Sequence, residues 1–239
     1  QLFTTIAESD HPPIAIGSTA CLANLASSGA LHGQNILFGL IDELETAPMP
    51  IIAEYIGAAI SSVLLQRRSE LEEHEPTEKR KSSNDNKVFS QIVLQIAKRA
   101  RFGIEIPLQK FLASGLLSMS LPPVPESQHL SFSQVKSKTP SRSPAAIVSC
   151  LKLLKFKATL HYDVLELLLC AIWALCANKR NADIVGKVGG IEVIFQVYIF
   201  LKSKLPESAP KDETNDMLNN TQIGSTESTD DASEEETKE

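Results

Sequence analysis

Histidine and cysteine, the residue types that most often act in catalysis or bind metals, are scattered along this sequence. They are His11, His32, His74, His129 and His161, and Cys21, Cys150, Cys170 and Cys176. None of them forms an H-x-x-x-H or C-x-x-C pair, and no nucleophile has acid and base partners at the spacing of a catalytic motif. We therefore expect no enzymatic activity, no metal site and no cofactor, and we interpret the cysteines as reduced core thiols.

Lysine and arginine form two groups that could attract a negatively charged partner. The groups lie at 79–101 and 136–157. A positive surface attracts acidic peptides, nucleic acids or anionic lipids, whereas the alternative is a solvated surface covered by lysine stems. Aromatic residues that would stack on bases are nearly absent from both groups, which disfavours nucleic acid. The candidate partner-binding residues are Lys98, Arg99, Arg101, Lys152, Lys155 and Lys157.

Three hydroxyl side chains stand in sequence contexts that protein kinases use. Thr139 and Ser143 each precede a proline, as in sites of proline-directed kinases. Ser233 precedes three consecutive glutamates, which is an acidic-directed context. Because a phosphate adds negative charge, phosphorylation would alter charge-dependent contacts, and we name Thr139, Ser143 and Ser233 as candidate sites.

The charges are arranged in three blocks along the chain. Residues 1–65 contain six acidic residues and no Lys or Arg, residues 66–205 contain 21 basic and 12 acidic residues, and residues 206–239 contain 2 basic and 11 acidic residues. The middle is thus basic and both flanks are acidic. We hypothesise that the acidic end docks on the basic middle and competes there with an acidic partner.

Apolar residues recur with the period of an α-helix, and no window alternates with the period of a strand. The clearest helix lies at about 162–178. Because Trp173 widens its apolar stripe, we predict that this helix is buried on most sides. We also predict that Trp173 is a core residue. Further helices are predicted at about 13–27, 34–46, 49–70, 86–101, 106–119, 145–157 and 191–204, and a short one through 184–185. The predicted fold class is therefore all-α.

Polar stretches divide these helices. We predict one helical domain over 1–205, interrupted by polar loops at about 72–87 and 121–144, and a disordered acidic tail at 206–239. No run of 18 apolar residues occurs, so no transmembrane segment is expected. Because the chain begins with Gln1 rather than Met, we expect it to be part of a longer protein.

The stretch from 162 to 201 resembles the armadillo repeat family. The matching parts are the apolar helix end at 171–175, the turn asparagines Asn178 and Asn181, the short helix after them, and Gly189–Gly190 before another apolar helix. A weaker likeness lies at 13–46, where Leu22, Asn24 and Leu25 resemble a Leu-x-Asn-Leu helix end. The resemblance implies a right-handed α-solenoid of units of ~40 residues, a length that HEAT repeats share.

The resemblance also implies candidate binding residues, although one feature of the family is missing. Peptide-binding armadillo proteins place an asparagine one helical turn after a tryptophan, whereas Trp173 has Ala177 at that spacing and Asn178 follows one residue later. Asn24 likewise has Ala20 where the tryptophan would stand. We keep Asn24 and Asn178 as candidate partner-binding residues, but the peptide recognition of the import receptors does not carry over.

Taken together, the sequence predicts a non-catalytic protein–protein interaction scaffold or adaptor in the cytoplasm or nucleus. Its partner would be a protein, and an acidic one would match the basic middle. The alternative is a helical module that binds nucleic acid or anionic lipid through the same basic residues.

Overall fold

Every regular element of the described structure is helical. The computed structural model describes residues 11–31, 34–70, 78–122 and 139–204, and these ranges contain no strand. The helices are α1 (Pro12–Ser27), α2 (Gln34–Thr46), α3 (Pro50–Glu70), α4 (Glu78–Ala100), α5 (Ile106–Ser120), α6 (Pro144–Leu153), a 3₁₀ turn (Leu154–Phe156), α7 (Tyr162–Cys176), α8 (Lys179–Lys187) and α9 (Gly190–Lys202). The predicted all-α class is confirmed for these residues.

Short polar side chains and proline define where several helices begin. Pro144 occupies the first turn of α6, where its missing N–H costs no hydrogen bond. The Ser143 hydroxyl before it accepts from the backbone N–H of Ala146 at 3.2 Å. Asn178 caps α8 in the same way, accepting from the N–H of Arg180 at 3.0 Å.

Two glycines allow α9 to follow α8 closely. Gly189 has φ of 72°, a left-handed conformation that glycine adopts without strain. A Cβ atom at Gly190 would lie 2.7 Å from Val185 Cγ1 and 2.8 Å from Leu151 Cδ1. The start of α9 therefore approaches α8 and α6 too closely for any larger residue.

The helices pack as two rows through residue 202. In the first row α1 packs on α3, α3 on α5 and α5 on α7; in the second row α2 packs on α4 and α4 on α6. The rows contact each other through α2–α3, α4–α5 and α6–α7. The short helix α8 packs on α6 and α7. The last helix, α9, packs on α8, α6 and the 3₁₀ turn. Leucine, isoleucine and one buried phenylalanine, Phe89, fill the space between the rows. Each fully buried side chain of this kind contributes roughly 1.5–3 kcal/mol.

The predicted polar loop at 72–87 was wrong over its second half, because α4 begins at Glu78. Residues 78–87 carry no apolar stripe, so periodicity gave no signal for a helix there. Glu, Lys and Arg nevertheless have a high helix propensity. Asp85 also forms an ion pair at 2.7 Å with Arg67, which connects this polar start of α4 to α3. Residues 72–77 lie outside the described residues.

The C-terminal end of the predicted polar loop at 121–144 is non-helical but packed against the rest of the fold. Thr139 is 3% exposed and Arg142 is 5% exposed, and the backbone between them is hydrogen-bonded to other parts of the fold. The segment Thr139–Ser143 is thus part of the packed structure, and α6 begins directly after it. The rest of that prediction, at 123–138, and the acidic tail at 206–239 lie outside the described residues.

The prediction that Trp173 is a core residue was also wrong. Its side chain is 74% exposed, although α7 buries Leu165, Leu168, Ile172 and Leu175. At 3.6 residues per turn Trp173 lies about 120° around the helix from the centre of that buried stripe. Helical spacing alone did not show where the buried stripe ends.

Candidate binding surfaces

Two asparagines hold the segment Thr139–Ser143 against the ends of α7 and α8. The Asn178 side-chain amide donates to the Thr139 carbonyl at 3.0 Å, and the Asn181 amide donates to the Pro140 carbonyl at 3.0 Å. The Asn181 side-chain oxygen accepts from the backbone N–H of Arg142 at 2.9 Å. Asn178 is a predicted partner-binding residue. Its side-chain amide and its side-chain oxygen are therefore both already hydrogen-bonded within its own chain.

Arg142 is a buried cation in this segment. Its guanidinium lies 5.2 Å from the centre of the Phe89 ring and donates to the backbone carbonyl of Met119. Burial lowers the pKa of Arg142 to about 10, an effect that the charge of Asp85 opposes. The side chain stays charged at neutral pH and anchors the segment by a cation–π contact and a hydrogen bond.

Two of the predicted basic residues form ion pairs with acidic residues of this chain. Lys98 pairs with Glu45 of α2 at 2.9 Å, and the hydrogen bond from Lys98, together with its charge, lowers the pKa of the Glu45 carboxyl. Arg99 pairs with Glu105 at 2.5 Å and also donates to the Gln95 side chain at 2.7 Å. These cations are already paired with acids of this chain, so they offer less attraction to an outside partner.

An open groove of about 520 Å³ lies between α4 and α6 of the second row, which we call the α4–α6 groove. Its lining is mainly apolar, and Leu94 in it is 51% exposed. The α4 side chains that line it follow one another at helical spacing and form a second stripe beside the buried one. The lining residues are Ser90, Val93, Leu94, Ala97, Ser149, Lys152, Leu153, Lys155 and Phe156.

Lys152 and Lys155 bring positive charge to the α4–α6 groove. Both side chains are exposed, and neither has an acidic partner within 4 Å among the described residues. The other two predicted cations differ, because Arg101 lies over the Phe102 ring at 5.7 Å and Lys157 is half-buried outside the groove lining. The structure thus brings two of the six predicted basic residues to one apolar groove.

A second surface consists of four apolar side chains on α9. Ile191 is 69% exposed, Phe195 53%, Tyr198 58% and Ile199 45%. They follow one another at i, i+4, i+7 and i+8, opposite the stripe through Val197 that packs on the core. The rings of Phe195 and Tyr198 stack with their centres 6.3 Å apart. We call this surface the outer face of α9.

The remaining candidate residues lie apart from both surfaces. Asn24 is exposed on α1, whose row neighbour is α3, and it lies far along the chain of packed helices from Asn178. Thr139 is buried, so a kinase could reach it only after the segment leaves the two asparagines. The half-buried Ser143 hydroxyl caps α6, and Ser233 lies outside the described residues. Phosphorylation therefore stays a prediction.

The thiols and carboxylates of the described residues do not form a metal site, because no three metal-binding side chains come together there. The interpretation of the cysteines as core thiols was wrong for Cys21 and Cys170, which are exposed. Burial raises the pKa of the Cys150 thiol to about 12 and also raises that of Cys176. Both thiols stay protonated at neutral pH, and a protonated thiol is a poor nucleophile.

The outer face of α9 was not recognised from the sequence, although a signal existed. Residues 190–202 are apolar on nearly every side of the helix, with Glu192 and Gln196 on the remaining edge. A helix of this kind is normally covered on two sides. The α4–α6 groove had no comparable signal, since it depends on which helices are neighbours.

No single described helix has the length and apolarity to cross a membrane. The pair α8 and α9 passes that test only when both helices are counted together, and they are bent by 78° relative to each other.

No protein-family model, no curated protein and no solved structure matches the chain.

Proposed function

We propose that this chain is a non-catalytic protein-interaction scaffold that binds an acidic, amphipathic segment of a partner protein in the α4–α6 groove. The observation that carries the proposal is the groove itself, which joins a mainly apolar lining to two lysines without acidic partners in the described structure. Apolar surface supplies most of the binding free energy, while the lysines select partners of opposite charge.

The fold that supports this function is an armadillo- or HEAT-like α-solenoid. Its support is the packing of each helix on the next helix but one, within two rows that cover each other. In such a fold each unit buries its apolar face against its neighbours, and grooves remain between adjacent helices of one row. The α4–α6 groove is of this kind, since α4 and α6 are neighbours in the second row.

The chemistry of the lining indicates what a ligand must offer. Val93, Leu94, Ala97 and Phe156 can take one or two apolar side chains, such as those on one face of a helix. Lys152 lies on α6 and would pair with a carboxylate beside those side chains. Because such charges lie at the rim and are screened by salt, high salt should weaken binding without abolishing it.

A photo-crosslinking amino acid at position 94 of the full chain would test this function. In cell extract we expect discrete protein adducts whose crosslinked peptides are acidic. The adducts should disappear in the variant Lys152→Glu/Lys155→Glu and persist in Lys179→Glu/Lys187→Glu, which makes the same charge change on exposed residues of α8. The crosslinker at Leu65, exposed on α3, should not give these adducts.

Three results would overturn the proposal. Equal adducts from positions 94 and 65 would show that the groove is not selective. Adducts that vanish on nuclease treatment would favour the nucleic-acid alternative, because RNA or DNA would then be the bridge. Binding of the purified chain to phosphatidylserine vesicles, lost in Lys152→Glu/Lys155→Glu, together with no protein adduct, would favour anionic lipid.

A further inference from the structure

The outer face of α9 has no covering element in the described structure. On its other side α9 packs on α8, α6 and the 3₁₀ turn, with Gly190 and Val197 buried there. Ile191, Phe195 and Tyr198 point the opposite way and are each more than half exposed. Repeat arrays end in units with a polar outer face, so this helix has the character of an inner helix rather than a cap.

The sequence after α9 does not supply a matching apolar stripe. Between 205 and 239 the sizeable apolar residues are Leu205, Met217, Leu218 and Ile223. Their spacing of 12, 1 and 5 residues does not place them on one face of a helix. Residues 205–239 therefore do not offer α9 an apolar stripe of helical spacing.

We propose that the outer face of α9 pairs with the same face of a second copy of this chain, with the two α9 helices antiparallel. Ile191, Phe195, Tyr198 and Lys202 follow one another at spacings of four, three and four residues, the pattern of a coiled-coil seam. The helix has 13 residues and is about 20 Å long, which gives room for two layers of aromatic contact.

The positions of the charges on α9 favour pairing with the α9 helix of a second copy that runs in the opposite direction. When the two-fold axis lies between Gln196 and Val197, Phe195 of each copy lies opposite Tyr198 of the other. The same register places Glu192 of one copy within reach of Lys202 of the other, at both ends of the pair. Glu192 is already held by the Gln196 amide at 2.9 Å, and Lys202 has no acidic partner among the described residues.

The pairing is expected to be weak and to depend on concentration. Stable interfaces bury ~800 Å² on each partner, and four side chains on one short helix bury less than that. Aromatic residues such as Phe195 and Tyr198 nevertheless contribute disproportionately to binding. A two-fold pair is self-complementary, so no second kind of surface is required. This inference uses other residues than the proposed groove function and does not depend on it.

Sedimentation equilibrium of the full chain over a range of concentrations tests the pairing. We expect the average mass to rise from monomer towards dimer, and Phe195→Glu to weaken the dimer at least about tenfold. Leu65→Glu on α3 is the matched control, since it places the same charge on another half-exposed apolar residue outside both surfaces and should leave the dimer unchanged. Equal thermal unfolding of both variants shows that neither change acts through folding.

A charge exchange tests the direction of the pair. Glu192→Lys and Lys202→Glu should each weaken the dimer, and the double variant should restore it, because the two pairs are then reversed. Disulfide crosslinking provides a second test of the direction. The exposed Cys21 and Cys170 are first replaced by serine. A mixture of Phe195→Cys and Tyr198→Cys chains should then form the mixed disulfide in preference to either homodimer.

The proposal is overturned by a chain that stays monomeric at every concentration, or by a double variant that associates no better than the single ones. Disulfides mainly between two Phe195→Cys chains would contradict the antiparallel direction. Binding to phosphatidylcholine vesicles that Phe195→Glu abolishes, without any self-association in solution, would assign this face to a lipid surface instead.

Discussion

Asn181 donates to the backbone carbonyl of Pro140 across 41 positions of sequence, and its side-chain oxygen accepts from the N–H of Arg142. The asparagine is fully buried and also donates to the Leu175 carbonyl at the end of α7. One side chain therefore joins the Thr139–Ser143 segment to the junction of α7 and α8. This contact fixes the start of α6, the helix that forms one wall of the groove.

Replacing Asn181 with alanine should destabilise the fold. The Pro140 carbonyl and the Arg142 N–H would lose their partners in a buried place, which we expect to lower the free energy of unfolding by about 2–4 kcal/mol. Thermal unfolding should begin roughly 5 to 12 °C lower. Asn24→Ala, on the exposed side of α1, is the control and should change stability little. Equal melting of the two variants would contradict the role of Asn181.

Helix positions were predictable because they depend on neighbours in the sequence. The predicted segment 34–46 coincides with α2, and the predicted start at 106 coincides with that of α5. The early start of α4 had no signal in the apolar periodicity, and the ion pair between Asp85 and Arg67 that supports it joins two different helices. Local spacing thus located the helices, whereas tertiary contacts determined how far they extend.

The α4–α6 groove depended on information that local spacing does not contain. Lys98 and Lys152 are equivalent in sequence terms, yet Lys98 is paired with Glu45, which is 53 residues away. Lys152 lies in a groove whose other wall is α4. Which lysine stays available is decided by which helices are neighbours, and the same holds for the exposure of Trp173.

The exposure of Trp173 can be measured by fluorescence, because it is the only tryptophan of the chain. With 74% of its side chain exposed, we expect emission close to that of tryptophan in water and efficient quenching by acrylamide in the native state. Unfolding in urea should change the emission maximum little. A blue-shifted native emission that quenchers reach only after unfolding would place Trp173 in a core after all.

Cys150 should make the fold less stable at high pH. Burial raises the pKa of its thiol from 9.0 to about 12, so between these values the unfolded chain loses the proton while the native chain keeps it. The contribution of Cys150 is therefore fully present below about pH 9 and declines as the pH rises towards 12. In urea unfolding, the stability difference between the wild type and Cys150→Ala should be largest near neutral pH and shrink above about pH 9.

A difference that stays constant up to about pH 11 would contradict this role for the thiol. Thiol labelling supplies an independent check. The exposed Cys21 and Cys170 should react with a disulfide reagent in the native chain, and the buried Cys150 should react only as the chain unfolds.

The stretch at 206–239 should compete with an acidic partner for the α4–α6 groove. It contains 11 acidic residues as well as Met217, Leu218 and Ile223. It therefore offers the charge and some of the apolar side chains that the groove accepts. The preceding helix, α9, packs on the 3₁₀ turn that carries Lys155 and Phe156. A labelled peptide of residues 206–239 should therefore bind a chain lacking those residues more tightly than the full chain, and salt should weaken the binding.

Lys152→Glu/Lys155→Glu in the shortened chain should abolish the binding, whereas Lys179→Glu/Lys187→Glu should not. Equal affinity of the full and shortened chains would show that this stretch does not occupy the groove.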